Sequence, residues 1–161
     1  ARTYDGSEAV IAHPPCREWG KLRSFAKPRE GEKELALFAV DVIRKNGGVL
    51  EHPESSSLWG VAGLPKPCAD RIEIDQFGGW TFPISQNWFG HKARKNTWLY
   101  IVGVLPMSIP DFPLFLGEAE YLVTYGPRCK PWKKAISLAD REHTPPEFAK
   151  WLVEVAKRCR V

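Results

Sequence analysis

One stretch of this chain limits what it can fold into. The run Ala9-Val10-Ile11-Ala12 is apolar and stops at Pro14-Pro15, which reads as a buried strand ending in a turn. From Glu32 to Lys45 the pattern becomes helical. Leu35, Phe38, Ala39, Val42 and Ile43 recur at the spacing of one helix face. Asn46-Gly47-Gly48 supplies a C-terminal stop, and Val49-Leu50-Glu51 then reads as a second buried strand. Strand, helix and strand at this spacing make a βαβ unit, which implies a parallel pair and a right-handed crossover. The expected fold class is therefore α/β, with a mostly parallel central sheet and flanking helices.

The remainder extends that plan. Trp80 to Ile84 and Thr97 to Val104 are strand-like, and the apolar Trp98-Leu99-Tyr100-Ile101-Val102 predicts a central strand. Tyr121 to Tyr125 is expected as a last strand, and residues 105–119, with three prolines, as irregular chain. The polar segment from His52 to Trp59 leads into a short helix. A C-terminal helix is expected with Thr144 as N-cap, Pro145 at its first position and Glu147 completing a capping box. Phe148, Trp151, Leu152 and Val155 form its apolar stripe.

A length of 161 residues, 43% of them hydrophobic and 26% charged, fits one domain spanning 1–161 and excludes a disordered chain. No uncharged apolar run reaches the ~18 residues of a membrane span, so no membrane partner is expected. The N-terminus shows no basic region followed by an apolar run, so no secretory signal is expected and the expected location is cytoplasmic. The cysteines Cys16, Cys68, Cys129 and Cys159 are widely spread, and reduced thiols are expected. His13, Cys16, His52 and Cys68 match no zinc-ligand spacing, so no metal is expected.

The net charge of +4 is uneven. Residues 51–79 carry five acids against Lys66 and Arg71, whereas residues 128–161 carry nine bases against four acids. A basic segment of this kind suits either a phosphate-bearing partner or a solvated face.

The chemistry concentrates after the first strand. In open α/β sheets ligands bind beyond the carboxyl ends of strands. His13-Pro14-Pro15-Cys16 stands there, with a thiol aimed by a rigid Pro-Pro turn. The second strand ends in Glu51. A parallel pair brings Cys16 and Glu51 to one sheet edge, as nucleophile and acid/base partner. His52 and one of Lys92, Arg94 or Lys95 are expected at the rim. Trp19, Trp80 and Trp88 are each open to a core role or to stacking on a base. Ser55-Ser56-Ser57 is open to a cap or to a phosphate contact.

Three segments, in order, resemble the catalytic core of the C5-cytosine DNA methyltransferases. Ala12-His13-Pro14-Pro15-Cys16 is similar to the Pro-Cys loop that carries the nucleophile. Gly48-Val49-Leu50-Glu51-His52-Pro53 is similar to the strand ending in Glu-Asn-Val. Residues 89–103, Phe-Gly-His-Lys-Ala-Arg-Lys-Asn-Thr-Trp-Leu-Tyr-Ile-Val-Gly, resemble the Gly-Val-Pro-Gln-x-Arg-x-Arg segment and its following strand. Thr144-Pro145-Pro146-Glu147-Phe148-Ala149 looks like the proline-opened final helix.

The resemblance implies a Rossmann-like methyltransferase half-fold and assigns roles by position. Cys16 would attack C6 of a pyrimidine, and Glu51 would hydrogen-bond the ring edge and relieve its charge. Arg94 or Lys95 would hold the base or a phosphate. His13, Pro15, Arg17, His52 and Lys92 complete the expected substrate-binding set, His13 and Arg17 being the cations nearest the thiol in sequence. A base within a duplex would be flipped out.

The sequence also departs from the family. His52 replaces the Asn after Glu, the Gln position reads Ala93, and the two Arg positions read Lys95 and Thr97. The Gly-rich turn that binds S-adenosylmethionine has no counterpart, as in a truncated, phage-type short form. The cofactor is therefore unknown, with S-adenosylmethionine admitted only through a partner or a non-standard site. Two functions are expected. The first is modification of a pyrimidine base in DNA or a nucleotide. The second is an inactive nucleic-acid- or nucleotide-binding protein that engages a DNA-acting partner. A protein partner or a homo-oligomer is compatible with both.

Overall fold

Glycine closes the βαβ unit. The computed structural model describes residues 4–21, 23–113, 117–123 and 134–160. Strands β1 (Val10–Ala12) and β2 (Gly48–Pro53) pair in parallel, with Val10 opposite Gly48. Gly48 has φ 128°, and a Cβ there would fall 2.0 Å from the Val10 carbonyl oxygen. Only a residue without a Cβ allows the strands to meet this closely. Helix α1 (Glu32–Asn46) connects them and ends where Gly47 donates its N–H to the Ile43 carbonyl at 2.8 Å. Its most buried side chains are Ala36, Val40 and Ile43. The expected stripe is thus rotated, leaving Leu35, Phe38 and Val42 half-buried.

The sheet has four strands in the order β1-β2-β4-β3. Strand β4 (Asn96–Val102) lies centrally, as its apolar composition predicts, and Leu99, Tyr100, Ile101 and Val102 are fully buried. It runs antiparallel to both β2 and β3 (Trp80–Ser85). The expectation of a mostly parallel sheet is corrected: one pair is parallel and two are antiparallel. The cause is the connection. Residues 86–95 alone join β3 to β4, too few for the crossover that a parallel neighbour needs. The fold is mixed α/β on an open sheet.

Alternation along the strands separates two cores. On one face Leu50, Tyr100 and Val102 meet Ala36, Val40 and Ile43 of α1, together with Trp19, Leu58 and Trp59. On the other, Val49, Leu99 and Ile101 meet Phe148, Trp151, Leu152 and Val155. These last four belong to helix α4 (Pro146–Arg158) and are the predicted apolar stripe. Each buried side chain of this size stabilises the fold by about 1.5–3 kcal/mol.

The start of α4 differs from expectation. Pro145 is the N-cap, Pro146 opens the helix, and no side chain caps it. A residue before proline is driven out of helical geometry. Pro145 accordingly takes ψ 136°, and Thr144 falls one position too early to cap.

Helix α2 (Leu58–Val61) fulfils the short-helix expectation. Helix α3 (Leu138–Glu142) adds to the expected elements, and Ser137 Oγ caps it by accepting from the Asp140 N–H at 3.1 Å. The expected strand from Tyr121 shrinks to single bridges, Tyr121 to Ala93 and Leu122 to Ala135, while Thr124 and Tyr125 lie outside the described residues, as does Cys129. No helix among the described residues is long and apolar enough to cross a membrane.

Candidate functional site

The carboxyl ends of β1 and β2 point the same way, so the segments leaving both strands gather at one edge. Residues 13–20 form a turn after β1. The Cys16 carbonyl accepts from the Trp19 N–H at 3.1 Å and from the Gly20 N–H at 2.8 Å. Trp19 is buried, and its carbonyl accepts from both the N–H (2.9 Å) and the hydroxyl (3.1 Å) of Ser57. These bonds tie the loop to the chain before α2 and leave Cys16 exposed.

Glu51 stands at the centre of a polar chain on the α4 face. His13 Nδ1 lies 3.0 Å from Glu51 Oε2, and Gln86 Nε2 donates to Glu51 Oε1 at 3.0 Å. Gln86 Nε2 also donates to Thr97 Oγ1 at 3.1 Å. Alternation explains the grouping: Glu51 shares its face with Val49, and Thr97 shares that face with Leu99. Gln86 begins the turn after β3 and is fully buried.

Burial alone pushes the Glu51 carboxyl up. The hydrogen bond and charge of His13 outweigh it, with help from Lys95, and hold the carboxyl below its ordinary value. Glu51 is therefore an ionised acceptor at neutral pH. Its His13 partner must donate, so Nδ1 carries a proton. The Cys16 thiol is pushed up by burial of the sulfur and by the Glu51 charge, against the opposing pull of its own backbone N–H, Lys95 and Arg17. The resting group is a thiol.

Of the expected site residues, the edge therefore gathers Cys16, His13, Glu51 and Lys95. Lys95 reaches the His143 carbonyl at 3.5 Å and acts electrostatically on both Cys16 and Glu51. Others are engaged elsewhere. Arg17 pairs with the buried carboxylate of Glu32. Lys92 pairs with Asp140 at 3.2 Å. Arg94 is exposed and donates to Asn96 Oδ1 at 3.3 Å.

His52 corrects its expected place at the rim. It is fully buried on the α1 face, with its ring 6.4 Å from that of Trp59. It comes directly after Glu51 in a strand, so it must point to the opposite face. Pro15 is half-buried, and its backbone carbonyl acts on the His52 ring, favouring the charged form against burial. Neither ring nitrogen makes a well-formed hydrogen bond. Burial pulls the His52 pKa down to about 4, so the ring is neutral at pH 7.

The tryptophans take the core reading. Trp19 and Trp80 are buried, and Trp88 stacks on Phe112 with centroids 5.9 Å apart. Two of the serines are used internally, Ser56 Oγ accepting from the Leu58 N–H at 3.2 Å and Ser57 Oγ donating to the Trp19 carbonyl, while Ser55 is exposed. Among the described residues no three His, Cys, Asp or Glu side chains are grouped to hold a metal ion. An apolar groove of about 540 Å³ lies at the other edge of the sheet, lined by Ile72, Trp80, Phe82, Met107, Ile109 and Phe112.

Sequence reasoning missed Gln86 and Thr97. The available signal was a glutamine directly after an apolar strand, where a buried amide needs a polar partner. No family model, no curated protein and no solved structure matches this chain.

Proposed function

We propose that this domain modifies pyrimidine bases in DNA or nucleotides, with Cys16 as the nucleophile that attacks C6 and Glu51 as the group that holds the ring edge. The observation that carries the reading is the convergence of the exposed Cys16 and the ionised Glu51 at the shared carboxyl edge of β1 and β2. Attack at C6 makes C5 nucleophilic. A fixed carboxylate accepting from the ring's amine or protonated nitrogen stabilises that adduct. Both Glu51 oxygens already accept one bond, and each keeps a further lone pair for substrate.

Three of the four strands run the same way, β4 alone being reversed, and this supports the reading as half of a methyltransferase-like fold. The carbon donor is supplied in this reading by S-adenosylmethionine on a partner chain, or by a different donor. Lys95, whose charge acts on both Cys16 and Glu51, is the cation that would hold the base in this reading.

The test needs no donor. Reversible attack at C6 lets C5 exchange its proton with solvent. The protein is incubated in deuterated buffer with cytosine-containing DNA, single-stranded and duplex, and with pyrimidine nucleotides, and C5 deuterium is read by mass spectrometry. Exchange by wild type that is lost in Cys16→Ala is expected. Equal exchange in both, or none with any substrate, overturns the proposal.

A second reading is favoured by the protonated resting thiol: a domain that binds nucleic acid without transfer chemistry, to assist or oppose another DNA-acting protein. It predicts DNA affinity that falls with salt and survives Cys16→Ala.

A further inference from the structure

The chain that follows Cys16 carries a charge pattern that the sheet edge leaves unused. From Lys21 to Arg29 the sequence holds four cations and no acid. Phe25 stands at their centre, with Arg23 and Lys27 two residues away and Lys21 and Arg29 four. Phe25 is 85% exposed and belongs to neither core. The four cations are exposed as well, and among the described residues none of them is paired with an acid. The flanking cations differ: Arg17 is paired with Glu32, and Lys33 lies over the Trp19 ring, 5.6 Å from its centroid.

The segment is anchored at both ends. Buried Trp19 is bonded through its carbonyl to Ser57, and the Arg17–Glu32 pair joins the start of the loop to the first residue of α1. Between the anchors, Arg23 N–H donates to the Gly20 carbonyl and Ala26 N–H to the Arg23 carbonyl, each at 3.2 Å. These bonds continue the turn that begins at the Cys16 carbonyl, and Glu32 N–H closes on the Arg29 carbonyl at 3.1 Å. Phe25 is thus presented on hydrogen-bonded backbone, which reduces the ordering lost on binding.

An exposed phenyl ring among unpaired cations suits a partner that has flat apolar faces and repeated negative charge. Nucleic acid has both. A lone phosphate offers no ring, and an acidic peptide offers no base face. In a duplex the base faces are stacked on one another, so a partner with faces to spare is single-stranded.

We propose that residues 21–29 are a binding surface for single-stranded nucleic acid, with Phe25 stacked on an unpaired base and Lys21, Arg23, Lys27 and Arg29 on the phosphates to either side. The inference deepens the pyrimidine reading and rests on it for the use to which the strand is put.

Fluorescence anisotropy with a labelled oligothymidylate and a labelled mixed-sequence duplex tests the surface, with polyglutamate and phosphatidylserine vesicles as competing polyanions. Phe25→Ala is expected to weaken single-strand binding about fivefold or more, the low end of the loss for one stacked base, and to leave duplex affinity unchanged. The double variant Lys21→Gln/Lys27→Gln is expected to flatten the slope of log affinity against log salt by about 1.4. Lys150→Gln/Lys157→Gln removes the same charge from α4, where both lysines are paired with acids, and is expected to leave the slope unchanged. All of these side chains are exposed, and melting temperatures equal to wild type check that the variants fold.

Wild-type affinity in Phe25→Ala, equal flattening by the two double variants, or competition by polyglutamate as strong as by unlabelled strand overturns the proposal. So does vesicle binding that Phe25→Ala abolishes with no strand bound, since the segment then meets a membrane surface. Strand binding that depends on Phe25 and survives Cys16→Ala, with no C5 exchange in wild type, keeps the surface and removes the pyrimidine chemistry. C5 exchange on single strands that Phe25→Ala leaves unchanged keeps the chemistry and removes the surface.

Discussion

Gln86 and Glu51 lie 35 residues apart in the chain, yet Gln86 Nε2 donates to Glu51 Oε1 at 3.0 Å. The bond joins the end of β2 to the turn after β3, across the reversed strand β4 that lies between them. It can form only in this strand order. Gln86→Leu keeps the volume and removes the donor, leaving a part-buried carboxylate oxygen one partner short. A loss of about 1–3 kcal/mol is expected, the usual penalty for an unsatisfied buried group. Urea unfolding monitored by tryptophan fluorescence checks it, and a midpoint equal to wild type counts against the bond.

His52 makes stability depend on pH in a definite direction. Burial lowers its pKa from 6.5 to about 4, so the unfolded chain binds a proton that the folded chain does not. Stability is full above pH 6.5 and falls as pH drops from there toward about 4. The span corresponds to about 3 kcal/mol. His91, lowered chiefly by burial, contributes in the same direction. Urea midpoints at pH 7 and pH 4.5 measure the slope, and His52→Phe is expected to flatten it. An unchanged slope in that variant would assign the effect elsewhere.

Gly48 tolerates no side chain. A Cβ would meet the Val10 carbonyl oxygen at 2.0 Å and the Val10 nitrogen at 2.6 Å, both backbone atoms of the neighbouring strand. Its φ of 128° adds strain for any other residue. Gly48→Ala is expected to cost about 3 kcal/mol or more and to separate β1 from β2. By contrast, Gly60→Ala meets no atom within 4 Å and sits in a helix, so a neutral or slightly positive effect is expected. Thermal melts of the two variants provide the comparison.

Much of this could be read from residue order, because the βαβ unit depends on local periodicity and glycine stops. The strand ending at Ala12, the helix after it and the central place of Trp98–Val102 all come from such signals, whereas the strand expected to end at Glu51 runs on to Pro53. Strand direction was open to the same reasoning. Residues 86–95 hold no crossover helix, so β4 had to reverse. His52 shows another neglected constraint: a strand cannot place consecutive residues on one face, so Glu51 and His52 never shared a site. The Gln86–Glu51 bond was not readable, since it depends on which strands become neighbours.

Lys95 is the one cation of its cluster that acts on the thiol. Its charge lowers both the Cys16 and the Glu51 pKa, while Lys92 is paired with Asp140 and Arg94 faces solvent beside Asn96. Lys95→Gln therefore raises the Cys16 pKa further and is expected to slow its alkylation severalfold at pH 7.5. Lys92→Gln and Arg94→Gln are expected to leave the rate unchanged. The Lys95 effect acts through a part-exposed charge, so it should shrink as salt rises from about 0.01 to 1 M, where the screening length falls from about 30 to about 3 Å. Equal slowing by all three variants would mean that the thiol responds to the net charge of the segment and not to Lys95.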